Sequence, residues 1–241
     1  MGAESNGAIH RPARPPSAAL AIAAGAVALQ ALAGPQGAPP PPAPDPGAQA
    51  LLQKILDRTK ALQGFSARFE QRLVPAGLPQ PPPEKGRVFW RRPDRMRWEY
   101  ETPERKIAVS DGAHGWLELT EERRVLTVNL EETLRDAPLQ ALLGGGREAA
   151  ARFQALRREP RASDPPGLLR LALTPVPPSA AFDMLELGVA GDTLRLTDLE
   201  VVDPGGNRMI FTFRDISESP PPAESLFRYT PPAGFMVDSP Q

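Results

Sequence analysis

Apolar positions along this chain alternate between two periods, about 3.6 and 2, and the switches mark its elements. From Ala48 to Gln63 the spacing is helical, with Leu51, Leu52, Ile55, Leu56 and Leu62 on one stripe and Lys54, Asp57, Arg58 and Lys60 elsewhere. Gly64 suits the cap that ends such a helix. The period then shortens. Phe65 to Val74 reads as a strand, with Phe65, Ala67 and Phe69 alternating with polar residues. Lys106 to Ser110 and Gly115 to Leu119 flank Asp111-Gly112, a strong hairpin dipeptide. Val125 to Leu130 follows, then Leu169, Leu171 and Leu173, and then Leu185, Leu187 and Val189. Leu194 to Val202 and Met209 to Phe213 flank a turn at Asp203 to Asn207, and Phe227 with Tyr229 closes the series. About ten strands joined by short turns predict antiparallel order.

The most informative stretch is Gly86 to Tyr100, two strands around a turn at Pro93-Asp94. Val88, Trp90 and Arg92 share one face of the first strand, and Met96, Trp98 and Tyr100 share one face of the second. The other face of the second strand carries Arg95, Arg97 and Glu99. Arg92 stands out because a guanidinium on the apolar face must find acceptors or cost several kcal/mol. It is a candidate latch.

One segment interrupts the strands, Glu131 to Arg152. Asp136 can cap a helix, Pro138 suits its first turn, and Leu139, Leu142 and Leu143 make an apolar edge before Gly144-Gly145-Gly146. A second short helix is expected at Arg147 to Arg152. Such helices either move as a lid or form a crossover packed on the sheet. The fold class is therefore mainly β (α+β). A twisted antiparallel sheet of this size curls toward an incomplete barrel, with helices covering its open side.

Residues 1–47 follow neither period. Arg11 and Arg14 precede an apolar run from Ala18 to Ala33 that ends Ala31-Leu32-Ala33, which matches a secretory signal peptide over 1–33. At about 15 residues the run is short for a membrane span, which needs about 20. Residues 34–47 are proline-rich and are expected to form an extended tether. This leaves 48–241 as one domain, long enough for one core.

Charge and chemistry narrow the function. With 28 basic and 29 acidic residues the net charge is −1, so nothing electrostatic favours nucleic acid. The absence of cysteine removes disulfides, thiolate metal sites, cysteine nucleophiles and a lipid-bearing cysteine. His114 is the only histidine after His10, and its neighbours Ser110 and Asp111 fit hairpin-turn chemistry better than a triad assembled from separate elements. Gly144-Gly145-Gly146 lacks the Lys-Ser/Thr of a phosphate loop. The pairs Glu121-Glu122 and Glu131-Glu132 read as solvated surface. The chain is expected not to be an enzyme and to carry no cofactor or metal. The basic run Lys85, Arg87, Arg91, Arg95, Arg97, Arg105 and Lys106 is either the solvent face of a sheet or a contact for an acidic partner or anionic headgroups.

Taken in order, Phe65-x3-Phe69-x-Gln71, Gly86, Arg92-Pro93 before Trp98, Val109-Ser110-Asp111-Gly112, Leu173-Thr174-Pro175 and Phe227-x-Tyr229-x-Pro231-Pro232-x-Gly234 resemble the periplasmic outer-membrane lipoprotein carrier family, LolA. The resemblance runs from Gln49 to Val237. It implies an incomplete antiparallel β-barrel with a helical lid, located in the periplasm and acting as a monomer. It also implies acylated lipoproteins as cargo, taken from an inner-membrane ABC transporter and passed to the outer membrane, to a receptor lipoprotein where one exists. Arg92 matches the family's arginine that bonds lid backbone in the closed state. Met96, Trp98 and Tyr100 match cavity-lining positions, which extends the expected lipid cavity to Val88, Trp90, Ala108, Leu117, Phe211 and Phe213. Pro138, Leu139 and Leu142 match the lid helix, with Leu143 beside them. Departures fall at Met96, where the family often has an aromatic or larger apolar residue, and at Gln140 and Ala141, where it is more apolar. The alternative is a periplasmic lipid-sensing or protein-interaction domain on the same scaffold.

Overall fold

The computed structural model describes residues 45–128, 142–143 and 146–238. Helix α1 spans Pro46–Ala61. Asp45 caps it, accepting at Oδ1 from the Ala48 amide at 2.9 Å, and Pro46 sits in the first turn, where its missing N–H leaves nothing unpaired. The helix therefore starts before the expected Ala48, and Pro46 and Gly47 belong to it rather than to a tether. The expected signal peptide and residues 34–44 of the tether lie outside the described residues.

Strands β1 (Gly64–Val74), β2 (Glu84–Arg91), β3 (Arg95–Thr102), β4 (Lys106–Asp111), β5 (Gly115–Leu119) and β6 (Arg124–Val128) form one antiparallel meander. A short helix, α2 (Gly146–Ala151), opens a second meander. This comprises β7 (Phe153–Arg158), β8 (Leu168–Pro175), β9 (Met184–Ala190), β10 (Leu196–Val202) and β11 (Arg208–Ser217). β1 pairs with β11 and joins the two. A last strand, β12 (Met236–Asp238), runs parallel to β6. The sheet has 12 strands in the order β12-β6-β5-β4-β3-β2-β1-β11-β10-β9-β8-β7. Among the described residues its two ends do not pair, so it is an unclosed barrel.

Helix α1 covers the concave face and buries Ala48, Leu52, Ile55 and Leu56 against it. The helix also shields one sheet edge. Gln49 accepts at Oε1 from the Ala155 amide at 3.1 Å, and Asp45 accepts at Oδ2 from the Arg157 amide at 3.4 Å. These are outward donors of β7, which an uncovered edge would offer to another chain. β7 had no clear sequence signal, because Phe153 and Ala155 are the only apolar inward positions in a strand that continues into Arg157-Arg158.

The convex face carries a strap. After β11 the chain crosses back over β3 and β4 as a 3-10 turn at Glu224–Phe227. The strand expected at Phe227 and Tyr229 does not form, since Pro220 to Pro222 and Pro231-Pro232 remove the backbone donors a ladder requires. Phe227 is 1% exposed, and Tyr229 donates to Glu118 Oε2 at 2.8 Å. Much of the basic run is occupied here. Arg91 donates to the Pro222 carbonyl at 2.8 Å, Arg97 donates to the Leu226 carbonyl at 3.3 Å, and Arg91 and Arg95 reach Glu224 at 3.6 and 3.4 Å. Arg87 and Arg97 share Glu99, and Lys85 pairs with Glu70. Lys106 is not on the solvent face: it is 2% exposed, pairs with Glu84 and lies 4.4 Å from the Tyr100 ring centre.

Gly86 lies opposite Tyr100 in the β2–β3 ladder. A Cβ there would collide with the Glu99 carbonyl. Because the obstacle is backbone, Gly86→Ala is expected to destabilise by about 1–3 kcal/mol, read as a lower urea midpoint with unchanged slope.

Candidate functional site

The concave face is filled on one side by stacked aromatics. Phe69 meets Trp98 and Tyr100 edge-on, with ring centres 4.7 and 5.0 Å apart. Trp98 also meets Phe211 and Phe213, at 5.7 and 6.3 Å, and Trp90 meets Phe65 at 5.8 Å. Tyr100 donates to Gln71 Oε1 at 3.0 Å. Burial, with the Glu84 charge adding to it, holds its hydroxyl well above the ordinary range, so it stays neutral. The Nε1 donors of Trp90 and Trp98 are buried and meet no acceptor.

Of the residues expected to line a lipid cavity, Val88, Trp90, Trp98, Tyr100, Leu117, Phe211 and Phe213 are buried in this cluster, and Met96 and Ala108 pack against it half-buried. Of these, Phe213 borders the free space described next. That space is an apolar cavity of about 50 Å³ under the C-terminal half of α1, between it and β1, β9, β10 and β11. Ile55, Leu56 and Leu62 come from α1 and the turn after it, and Phe65, Leu196 and Ile216 from the barrel wall. Sequence reasoning missed the wall residues. The apolar stripe of α1 was visible, but alternation alone does not say which inward side chains touch one another and which leave a gap.

The expected lid helix is partly in view. Leu142 and Leu143 are helical, 4% exposed, and line the cavity. Pro138 and Leu139 lie outside the described residues. The second short helix appears as α2, one residue earlier than expected at its start.

Arg92 sits in the turn between β2 and β3, and its side chain projects toward the helices. Its Nε donates to the Leu62 carbonyl at 3.0 Å. Its Nη2 donates to the Thr59 and Leu143 carbonyls, both at 3.2 Å. One guanidinium thus ties the barrel rim to the end of α1 and to the lid, and lies over the Trp90 ring at 5.3 Å. The carbonyls of a helix end lack partners within the helix and carry partial negative charge, so a fixed cation suits them. The corner itself differs from the expected turn: the Arg92–Pro93 peptide is cis, and Asp94 has φ 51°.

Ser110, Asp111 and His114 do form turn chemistry. Asp111 Oδ1 accepts from the Ala113 and His114 amides at 2.8 and 2.7 Å, while Ser110 donates to the Asp94 carbonyl at 2.8 Å.

A profile described as outer membrane lipoprotein carrier protein LolA matches residues 60–230. The chain belongs to this family. An outer-membrane lipoprotein carrier protein of Xanthomonas oryzae pv. oryzae is 32% identical over 189 residues, covering 78% of this chain and 88% of the relative. One from Dechloromonas aromatica is 27% identical over 191 residues, 79% of this chain and 87% of the relative. An uncharacterized conserved protein from Thermus thermophilus shares the fold, with a TM-score of 0.51 at 16% identity, over 78% of this chain and 98% of that one. LolA is a carrier family, and among the described residues no helix is long and apolar enough to cross a membrane.

Proposed function

We propose that this LolA-family chain works in the periplasm as a carrier. It takes acylated lipoproteins from an inner-membrane ABC transporter and delivers them to the outer membrane, to a receptor lipoprotein where one exists. The observation that carries this reading is Arg92, bonded at once to α1 and to the lid above an apolar cavity too small for an acyl chain. About 50 Å³ has room for a few water-sized groups. Acyl chains therefore enter only when α1 and the lid move off the sheet, exposing the aromatic face that they now cover. The unpaired indole donors of Trp90 and Trp98 are then available to the ester and amide carbonyls of the anchor.

The energetics fit a carrier. A buried methylene is worth about 0.8 kcal/mol, so a sixteen-carbon chain resists water by roughly 12 kcal/mol. A carrier must replace that burial and still let go. The sequence has no phosphate loop to couple release to nucleotide hydrolysis, so release draws on the closed state's own bonds, which loading has to break.

The test adds the purified protein to spheroplasts making a labelled lipoprotein. Label is expected to leave the membrane as a soluble complex of fixed stoichiometry, dependent on cellular ATP. Folded protein that releases no label would overturn the carrier reading and favour a sensor or interaction domain on this scaffold.

A further inference from the structure

The cavity's polar lining is concentrated at one end, where two guanidiniums meet one carboxylate. Arg58 on α1 donates from Nη2 to both Glu218 oxygens, at 2.8 and 2.7 Å, and from Nε to the Thr193 carbonyl at 2.6 Å. Arg195, just before β10, approaches the same carboxylate with Nε 3.5 Å from Oε1. That approach is not a hydrogen bond, and Arg195 Nε is shielded from water without an acceptor. Glu218 thus serves two cations and satisfies one. Its side chain and that of Arg58 are only 18% and 23% exposed. Leu196 and Ile216, neighbours of Arg195 and Glu218 in sequence, belong to the same cavity wall.

This arrangement leaves one positive charge in excess at the mouth of an apolar cavity, with a buried donor unfilled. The Arg195 side chain as a whole is 38% exposed, but its Nε faces the protein without an acceptor, and a charge-assisted bond from that donor would be stronger than a neutral one. Triacylated lipoprotein anchors are joined by neutral ester and amide links and do not supply an anion at that position. We propose that the cavity, once widened by α1 moving off the sheet, also binds single-chain amphiphiles with an anionic head, a carboxylate or a phosphate, whose head bonds Arg58 and Arg195 and whose chain lies between α1 and β9–β11. In the closed protein Glu218 stands where that head goes. Such a ligand competes with Glu218 for Arg58 and loosens a bond between α1 and the barrel that is separate from those of Arg92. The inference rests on reading the cavity as an acyl site.

The test measures displacement of a neutral fluorescent acyl probe from the full chain by three sixteen-carbon ligands below their micelle concentrations. These are palmitate, palmitoyl lysophosphatidic acid and monopalmitoylglycerol. At least one anionic ligand is expected to bind about tenfold or more tighter than the neutral one, with the ratio shrinking as salt rises. Preference for palmitate alone assigns a carboxylate, preference for the lysophospholipid alone assigns a phosphate, and preference for both assigns a general anion site. Arg195→Gln is expected to reduce the anionic-to-neutral ratio. Glu218→Gln removes the internal competitor and is expected to raise it, a gain that a misfolded variant cannot mimic. Equal binding of all three ligands would overturn the head-group site and leave the acyl cavity standing. Displacement by none of them would overturn the acyl cavity itself.

Discussion

Arg170→Met is expected to cost about 3–5 kcal/mol, the usual penalty for removing one partner from a buried ion cluster, and to lower Tm by on the order of 10 °C. Arg170 is 5% exposed on the convex face of β8. It donates to both Asp164 oxygens at 2.6 Å, to Asp198 at 2.8 Å and to Glu186 at 3.2 Å. Arg161 extends the cluster to Glu186 and Glu200, and Arg208 closes it on Glu200 at 2.6 Å. Four carboxylates therefore share three guanidiniums across β8, β9, β10, β11 and the loop before β8. Methionine keeps most of the volume but strips Asp164 of both its Arg170 bonds while Asp164 stays 5% exposed. A variant within 1 kcal/mol of the wild type would show that water replaces the guanidinium there.

The same cluster sets the acid limit. Hydrogen bonds from Arg170 hold Asp164 below its ordinary value of 3.8. Burial pushes Glu200 up, but bonds from Arg208 and Arg161 outweigh it and leave it below 4.5. Groups depressed in the folded state bind protons more readily when unfolded. Their contribution is thus complete above the ordinary carboxylate range and is lost as pH falls through it and below. Urea midpoints taken across pH should be flat above about pH 5 and fall steeply beneath it. Arg170→Met should fall less, because Asp164 is then no longer depressed by its main partner.

The two meanders were legible because one face of each strand is apolar and the other charged, so Val88, Trp90, Trp98 and Tyr100 announce an interior. Arg92 was legible for the opposite reason, a charge at the end of an apolar face. What alternation cannot carry is pairing over long separations. β12 is a three-residue strand paired with β6 more than a hundred residues earlier. The strap hides behind prolines, and its Phe227 faces away from the concave core in which a strand would have placed it. The ion cluster reads as ordinary surface charge, since Asp164, Arg170, Glu186 and Asp198 occupy polar positions of separate strands and loops until the fold assembles them. The cavity's position was beyond reach for a related reason: it lies where the aromatic filling stops, between Phe213 and Leu196, and volume is a property of packing rather than of pattern.

Arg92→Leu is expected to leave the protein folded and loadable while slowing delivery of bound lipoprotein. In the carrier reading proposed above, the three carbonyl bonds link elements that separate for acyl chains to enter, so they favour the closed state alone. Their loss, at a net of about 1.5–3 kcal/mol for bonds to a charged donor, shifts the balance toward the open, cargo-holding form by roughly ten- to a hundredfold. Affinity for acylated cargo rises by that factor, because loading no longer has to break those bonds, and the escape rate falls with it. Lysine is a useful second variant. Its single ammonium on a flexible stem cannot match a planar fork that spans Leu62, Thr59 and Leu143, so partial recovery of delivery is expected rather than full activity. The measurement loads each variant with labelled lipoprotein, adds outer-membrane vesicles and follows transfer over time, with the thermal midpoint of each variant recorded beside it. Wild-type transfer by a folded Arg92→Leu protein would sink the latch, and release would then have to come from the acceptor's higher affinity. Slow transfer by a variant that stays folded at the assay temperature, with its midpoint lowered by no more than the loss of these bonds accounts for, would place the work of release in the closing of α1 and the lid over the sheet.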